Sequence, residues 1–95
     1  QKGDLAAARG EMQEASRLLK LKQDQEAAAT AVSNGRQRLK EGKTAEALLQ
    51  SQNATRLAPE MAEAWELLGE ALRKSGKLAE ARQANERAKA LRTPR

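Results

Sequence analysis

The sequence predicts an all-α domain built from helix-turn-helix repeats, and three observations support this: composition, an internal repeat and regularly placed glycines. Its apolar residues are mostly Ala and Leu, with one Trp and no Phe or Tyr. Ala, Leu, Glu, Lys, Gln and Arg favour helices, whereas strands favour β-branched and aromatic residues. The chain has 95 residues, which suits one domain and is too short for two independent cores.

The internal repeat has a period of 34 residues. A shift of that length places residues 28–61 on residues 62–95 with ten identities, which include small residues and turn glycines. The matched residues of the first copy are Ala28, Gly35, Lys40, Gly42, Lys43, Ala45, Glu46, Ala47, Ala54 and Leu57. A third, partial copy precedes them at an offset of 39 residues, and it consists of Gly3, Ala6, Ala8, Ala15 and Leu18. Periods of this length are typical of repeat architectures.

We predict about five helices, and the local signals that bound them are glycines, prolines and capping residues. The predicted helices span residues 4–21, 24–41, 44–57, 60–74 and 78–91. Gly42 and Gly76 are expected to end helices with positive φ, Thr44 to cap a helix, and Pro59 to occupy a first turn.

Another predicted boundary is a break near residues 22–24, where Asp24 could cap a new helix. The alternative is one long helix through this stretch, because no Gly or Pro occurs between Gly10 and Gly35. A single long helix would leave several leucines exposed to water unless another chain covered them: Leu18, Leu19 and Leu21.

Each 34-residue unit resembles a tetratricopeptide repeat, and the second unit carries the resemblance best. The residues at the family's first-helix positions and at its two Ala positions are Trp65, Leu68, Gly69, Leu72, Ala81 and Ala88. Asn85 departs from the family's Phe, and Ala31 and Asn34 replace its Trp and Leu in the first unit. The resemblance implies one domain over residues 1–95 that forms a short right-handed α-solenoid. A half-repeat helix at 1–23 would precede full repeats at 24–61 and 62–95, the first of these with an N-terminally extended helix.

The resemblance also implies a non-catalytic protein-interaction module that binds a peptide or helix in a concave groove. Carried over by position, the groove residues are Val32, Arg36, Lys40, Glu63, Glu66, Glu70 and Arg73. Such a groove would be basic at one end and acidic at the other, so a partner of the reverse polarity would be complementary. Ordinary solvated surface charge explains the same residues equally well. The chaperone-binding version of the family is not expected, because Val32 and Arg36 occupy the places of its Lys and Asn.

The composition argues against an enzyme. The chain has no Cys and no His, which removes thiol nucleophiles, Ser–His triads and the usual zinc sites. Glu63, Glu66 and Glu70 share a helix face, and we expect them to be solvated or to face a partner rather than to perform acid–base chemistry. No catalytic residue, metal or cofactor is therefore predicted.

Two other functions remain open from the sequence. Self-association would use end helices that lack a neighbour; on the last helix, the apolar face consists of Leu78, Ala81, Ala84, Ala88 and Leu91. Nucleic-acid binding is the less favoured alternative. It would use the basic residues Arg82, Arg87, Lys89, Arg92 and Arg95, but aromatic residues for base stacking are not interleaved with them.

Targeting signals give little information about this chain. No apolar run reaches the length of a membrane span, so membrane insertion is not expected. The sequence begins with Gln1 rather than Met, so we expect it to be a piece of a longer protein. The compartment is accordingly not predicted.

Overall fold

Four α-helices pack as two helix pairs in the computed structural model of the chain. The structure describes the backbone of residues 2–93 and the side chains of residues 10–93. The helices are α1 (Lys2–Lys40), α2 (Thr44–Leu57), α3 (Ala62–Lys74) and α4 (Leu78–Arg92). α1 packs against α2, and α3 packs against α4. α3 also contacts both α1 and α2, and these contacts join the pairs. The all-α prediction is confirmed.

The predicted break near residues 22–24 is wrong, and residues 2–93 form four helices rather than five. α1 is continuous over 39 residues, a length of about 58 Å at 1.5 Å per residue. Asp24 does not cap a helix; its carboxylate accepts a hydrogen bond from Lys20 Nζ at 3.0 Å, one turn earlier. A capping residue without a Gly or Pro beside it does not stop a helix whose flanking residues are all good helix formers.

The α1–α2 and α3–α4 turns have the same backbone geometry. Gly42 and Gly76 adopt φ values of 79° and 83°, the left-handed region that glycine enters without a steric penalty. The next residue in each turn donates its N–H back to the last helical turn. Lys43 bonds the Arg38 carbonyl at 2.8 Å, and Lys77 bonds the Leu72 carbonyl at 2.9 Å. This pattern satisfies carbonyls that the helix end leaves open, so the predicted role of the glycines is confirmed.

Two predicted helix starts need correction. Thr44 does not cap α2: the N-cap residue is Lys43, which makes no side-chain capping bond, and Thr44 is the first helical residue. Pro59 does not lie in the first turn of α3, because that helix begins at Ala62 after an extended Met61. Instead, the carbonyl of Pro59 accepts a hydrogen bond from Trp65 Nε1 at 2.8 Å, which fixes the turn before α3.

The larger core cluster joins α1, α2 and α3, and most of its members are alanines. Its buried residues are Ala28, Ala31, Val32, Leu39, Ala47, Ala54, Ala58, Ala64, Leu67 and Ala71. Close helix contact depends on Gly35, where an added Cβ would lie 2.5 Å from Leu67 Cδ2 and 3.6 Å from the Ala47 carbonyl oxygen. Small side chains therefore let the first pair and α3 approach one another closely.

The smaller core cluster lies between α3 and α4. Leu72, Ala81 and Ala84 form it, with Trp65 and Leu68 partly buried against them. The expectation of an uncovered apolar face on α4 is wrong, because its alanines at 81, 84 and 88 are each 3% exposed. They lie against α3, and Leu91 is half-buried, so Leu78 is the large apolar side chain of α4 that stays exposed.

The N-terminal part of α1 contrasts with these cores. We call residues 10–27 the α1 extension, because burial of α1 begins at Ala28 and every residue from 10 to 23 is exposed. Met12, Leu18, Leu19 and Leu21 are each more than half exposed. The long-helix alternative thus has the consequence that the sequence predicted for it. Within residues 2–93, no helix has both the length and the apolar character needed to cross a membrane.

Candidate functional site

Two adjoining clefts lie between α1 and α3, on the face where the groove residues are predicted. The first, which we call the Arg36–Glu70 cleft, has a volume of about 260 Å³ and is lined by Arg36, Leu39, Lys40, Glu70 and Lys74. The second, the Val32–Glu63 cleft, has a volume of about 190 Å³ and is lined by Ala29, Val32, Ser33, Arg36, Met61 and Glu63. Arg36 lines both, so the clefts form a continuous surface along α1.

Helix geometry explains why these side chains meet. Residues 32, 36 and 40 are spaced by four and share one face of α1. Gly35, next to Arg36, lies against Leu67 of α3, and Leu67 is buried in the core shared by α1, α2 and α3. The Gly35–Leu67 contact therefore sets the distance between the two helices at the cleft.

The structure brings together five of the seven predicted groove residues. Arg36, Lys40 and Glu70 line the first cleft, and Val32 and Glu63 line the second. Val32 is only 3% exposed, so its side chain belongs to the core and offers a partner little surface. The other two predicted residues lie elsewhere: Glu66 faces the end of α4, and Arg73 lines a separate cleft beside α4.

Arg92 of α4 partly neutralises the acidic face of α3 that Glu63, Glu66 and Glu70 share. Arg92 Nη2 lies 2.7 Å from Glu66 Oε1 and 3.2 Å from Glu63 Oε1. The hydrogen bond to Glu66 is the main reason that the pKa of Arg92 is raised above its ordinary value. The predicted acidic end of the groove is therefore paired with Arg92 of the same chain, a residue that the sequence predicted as part of a basic patch on the last helix.

The charge of the Arg36–Glu70 cleft follows from the remaining residues. Arg36, Lys40 and Lys74 supply three positive charges and Glu70 one negative charge. Among the described residues, none of these four takes part in an ion pair within 4.0 Å. The cleft is therefore a basic surface that contains one carboxylate. It does not divide into a basic end and an acidic end.

The residues of the two clefts that were not predicted from the sequence are Ala29, Ser33, Leu39, Met61 and Lys74. Lys74 had a detectable signal, because the 34-residue shift aligns it with the predicted groove residue Lys40. The ion pairs of Arg92 had no such signal in the sequence. The two residues of each pair are 26 or 29 residues apart, and no local pattern links residues at that separation.

The described residues include no cluster of three or more acidic side chains arranged to hold a metal ion. No protein-family model matches the chain, and no curated protein matches it either.

Proposed function

We propose that the two helix pairs are successive tetratricopeptide-like units of a short right-handed solenoid. Equivalent positions of the two pairs support this. Gly42 and Gly76 make the same turn, and a Cβ added at Gly35 or Gly69 would lie within 3.6 Å of the carbonyl of Ala47 or Ala81 respectively. The 34-residue period of the sequence thus recurs in turn geometry and in close helix contact.

On this architecture, the chain is a non-catalytic protein-interaction module that binds a peptide or helix along the face between α1 and α3. The observation that carries the proposal is the convergence of Arg36, Lys40 and Lys74 around one carboxylate in an open cleft. Three cations that form no ion pair among the described residues favour a ligand that brings carboxylates. The partner we propose is therefore an acidic peptide segment.

Apolar contact would come from the second cleft. Met61 and Ala29 line it beside Arg36, so a bound peptide could place an apolar side chain there and a carboxylate on the basic surface. This combination of an anchor and a charge gives both orientation and specificity. Arg92 already forms ion pairs with Glu63 and Glu66, so a basic partner segment would have to displace Arg92 from them.

The test is selection of a displayed random-peptide library on the immobilised chain, followed by affinity measurement. We expect the selected peptides to be enriched in Asp and Glu, and Arg36→Glu to weaken binding by about tenfold or more, the worth of one charge-assisted hydrogen bond. Arg87→Glu makes the same charge change on an exposed residue of α4 and should leave affinity unchanged.

Two results would overturn the proposal. One is the selection of peptides without acidic enrichment. The other is an equal loss of affinity in Arg36→Glu and Arg87→Glu, because a general effect of net charge would then explain binding. Circular dichroism of both variants checks that the helices are retained.

A further inference from the structure

The α1 extension exposes more apolar side chain than any other helical segment that the structure describes. Among the residues whose side chains the structure describes, six large apolar side chains are exposed, and four of them belong to the extension: Met12, Leu18, Leu19 and Leu21. Isolated helices of this length are only marginally stable in water, and most helical stability in proteins comes from packing of one face. A covered apolar face would supply the stabilisation that the extension lacks by itself.

Leu18 lies on a seam with coiled-coil spacing, and the other three exposed apolar side chains flank this seam. Glu11, Ala15, Leu18 and Lys22 follow one another at intervals of four, three and four residues, which places them in one line along a helix. Met12 and Leu19 lie on one side of this seam and Leu21 on the other. The ion pair between Lys20 and Asp24 lies on the opposite face. The extension is thus amphipathic, with a seam that ends in one acidic and one basic residue.

We infer that a second copy of this chain covers the seam in an antiparallel arrangement. Pairing about a two-fold axis between residues 16 and 17 places Glu11 opposite Lys22 of the second copy, and symmetry repeats this contact. The same register places Ala15 opposite Leu18 of the second copy, a small residue against a large one. Neither Glu11 nor Lys22 takes part in an ion pair within the described residues.

Charge selects this arrangement over the parallel one. In a parallel, in-register pair Glu11 would face Glu11 and Lys22 would face Lys22, and both contacts are repulsive. In the antiparallel pair both seam charges meet an opposite charge. The two seam charges therefore determine the orientation of the second copy, and its helix covers apolar surface of the extension.

Analytical ultracentrifugation across a wide concentration range tests the inference. The wild-type chain should approach twice its mass of 10.4 kDa as concentration rises. Glu11→Lys and Lys22→Glu should each remain monomeric in the range where the wild type dimerises, because each variant places like charges together. Lys20→Glu changes charge on the opposite face and should dimerise like the wild type.

The decisive experiment combines the two charge reversals. An equimolar mixture of Glu11→Lys and Lys22→Glu should form a heterodimer, and the double variant Glu11→Lys/Lys22→Glu should recover the homodimer. Circular dichroism identifies any variant whose helices are lost, and the recovering combinations show that failure to dimerise is not failure to fold.

Orientation is measured separately with one spin label. The chain has no Cys, so Ala27→Cys gives a single labelling site on an exposed residue. The antiparallel register separates the two labels by about 30 Å along the helix axis, whereas a parallel pair would bring them about 10–20 Å apart. A wild type that is monomeric at every concentration overturns the inference, as do identical behaviour of all charge variants and a short interlabel distance.

Discussion

The two helix pairs have turns of the same geometry, but they differ in one surface. This is the surface on which the next helix along the chain would pack. In the first pair Leu39, Ser51 and Thr55 are buried, and α3 packs across that side. Thirty-four residues later, the second pair has Arg73, Asn85 and Lys89 at the equivalent positions, and all three are exposed. One backbone arrangement thus accommodates either a packed interface or a solvated surface, and the side chains decide which.

The difference gives the molecule two unlike ends. Beside α4, an open cleft of about 410 Å³ is lined mainly by long polar side chains, and a further helix packing there would have to desolvate them. At the other end the α1 extension presents Met12, Leu18 and Leu19 to solvent. Association through the N-terminal end is therefore favoured over association through α4.

Exchange of one residue between the pairs should have the largest effect on stability. Ser51 is 0% exposed, and its hydroxyl donates a hydrogen bond to the Leu48 carbonyl at 2.9 Å. Ser51→Asn adds volume and an amide to this site, so we expect it to lower the free energy of unfolding by about 2–3 kcal/mol. In a domain of this size that corresponds to a fall in Tm of about 10–20 °C.

Asn85→Ser is the matched control for that substitution. Asn85 is exposed, so its replacement should change the free energy of unfolding by less than about 0.5 kcal/mol. Chemical denaturation of both variants checks the comparison. Equal effects at the two positions would mean that the two surfaces do not differ as described.

Alanine substitution of the interhelix glycines should have a smaller effect, and the effect should differ between the pairs. A Cβ at Gly35 would meet buried Leu67, whereas a Cβ at Gly69 would meet the side-chain oxygen of Asn85, which is free to rotate into solvent. Helix propensity favours both substitutions by about 1 kcal/mol, and overpacking opposes them by about 1–3 kcal/mol. Gly35→Ala should therefore destabilise by about 1 kcal/mol and Gly69→Ala by less or not at all, as measured by denaturant midpoints.

The smallest expected effect is a pH dependence confined to the first turn. The hydrogen bond from Arg38, at 2.8 Å, lowers the pKa of Glu41 below its ordinary value of 4.5, and Gln37 adds to the shift. A lowered folded-state pKa stabilises the fold above about pH 4.5, and that contribution is lost as pH falls through the folded value. Ser75 occupies the equivalent place in the second turn.

Glu41→Gln isolates this contribution. Its stability relative to the wild type should be lower at neutral pH, and the difference should shrink toward about pH 3. Urea denaturation at both pH values measures it. A difference that grows on acidification has the wrong sign and would exclude the Arg38–Glu41 contact as its source.

The elements predicted well from the sequence were those with local signals. The ends of α2 match its predicted range of 44–57, and α4 extends one residue beyond its predicted range of 78–91. Glycines with positive φ mark the turns before both helices. A tight turn needs such a residue within a few positions of the helix end, so the signal is local. The prediction of a break at Asp24 failed because a side-chain cap competes with continued helix formation, and the sequence pattern does not show which is lower in free energy.

The candidate site was predicted less completely, because its charges depend on tertiary contacts. Carry-over by position from the resembled repeat family predicted Arg36, Lys40 and Glu70 as groove residues, and these share the first cleft. That carry-over could not reveal that Val32 is buried, since burial depends on where α2 and α3 pack. Nor could it reveal that Arg92 pairs with Glu63 and Glu66, because the last turn of α4 meets α3 only in the folded chain.

Hydrogen exchange followed at high and low protein concentration tests the difference between the two ends most directly. Amides of residues 12–22 should exchange slowly at high concentration and faster on dilution, because a second copy protects them only when it is bound. Amides of α4 (Leu78–Arg92) should exchange at the same rate at both concentrations. Concentration-dependent protection in α4, together with rapid exchange of residues 12–22 at every concentration, would contradict the assignment of the N-terminal end as the associating surface.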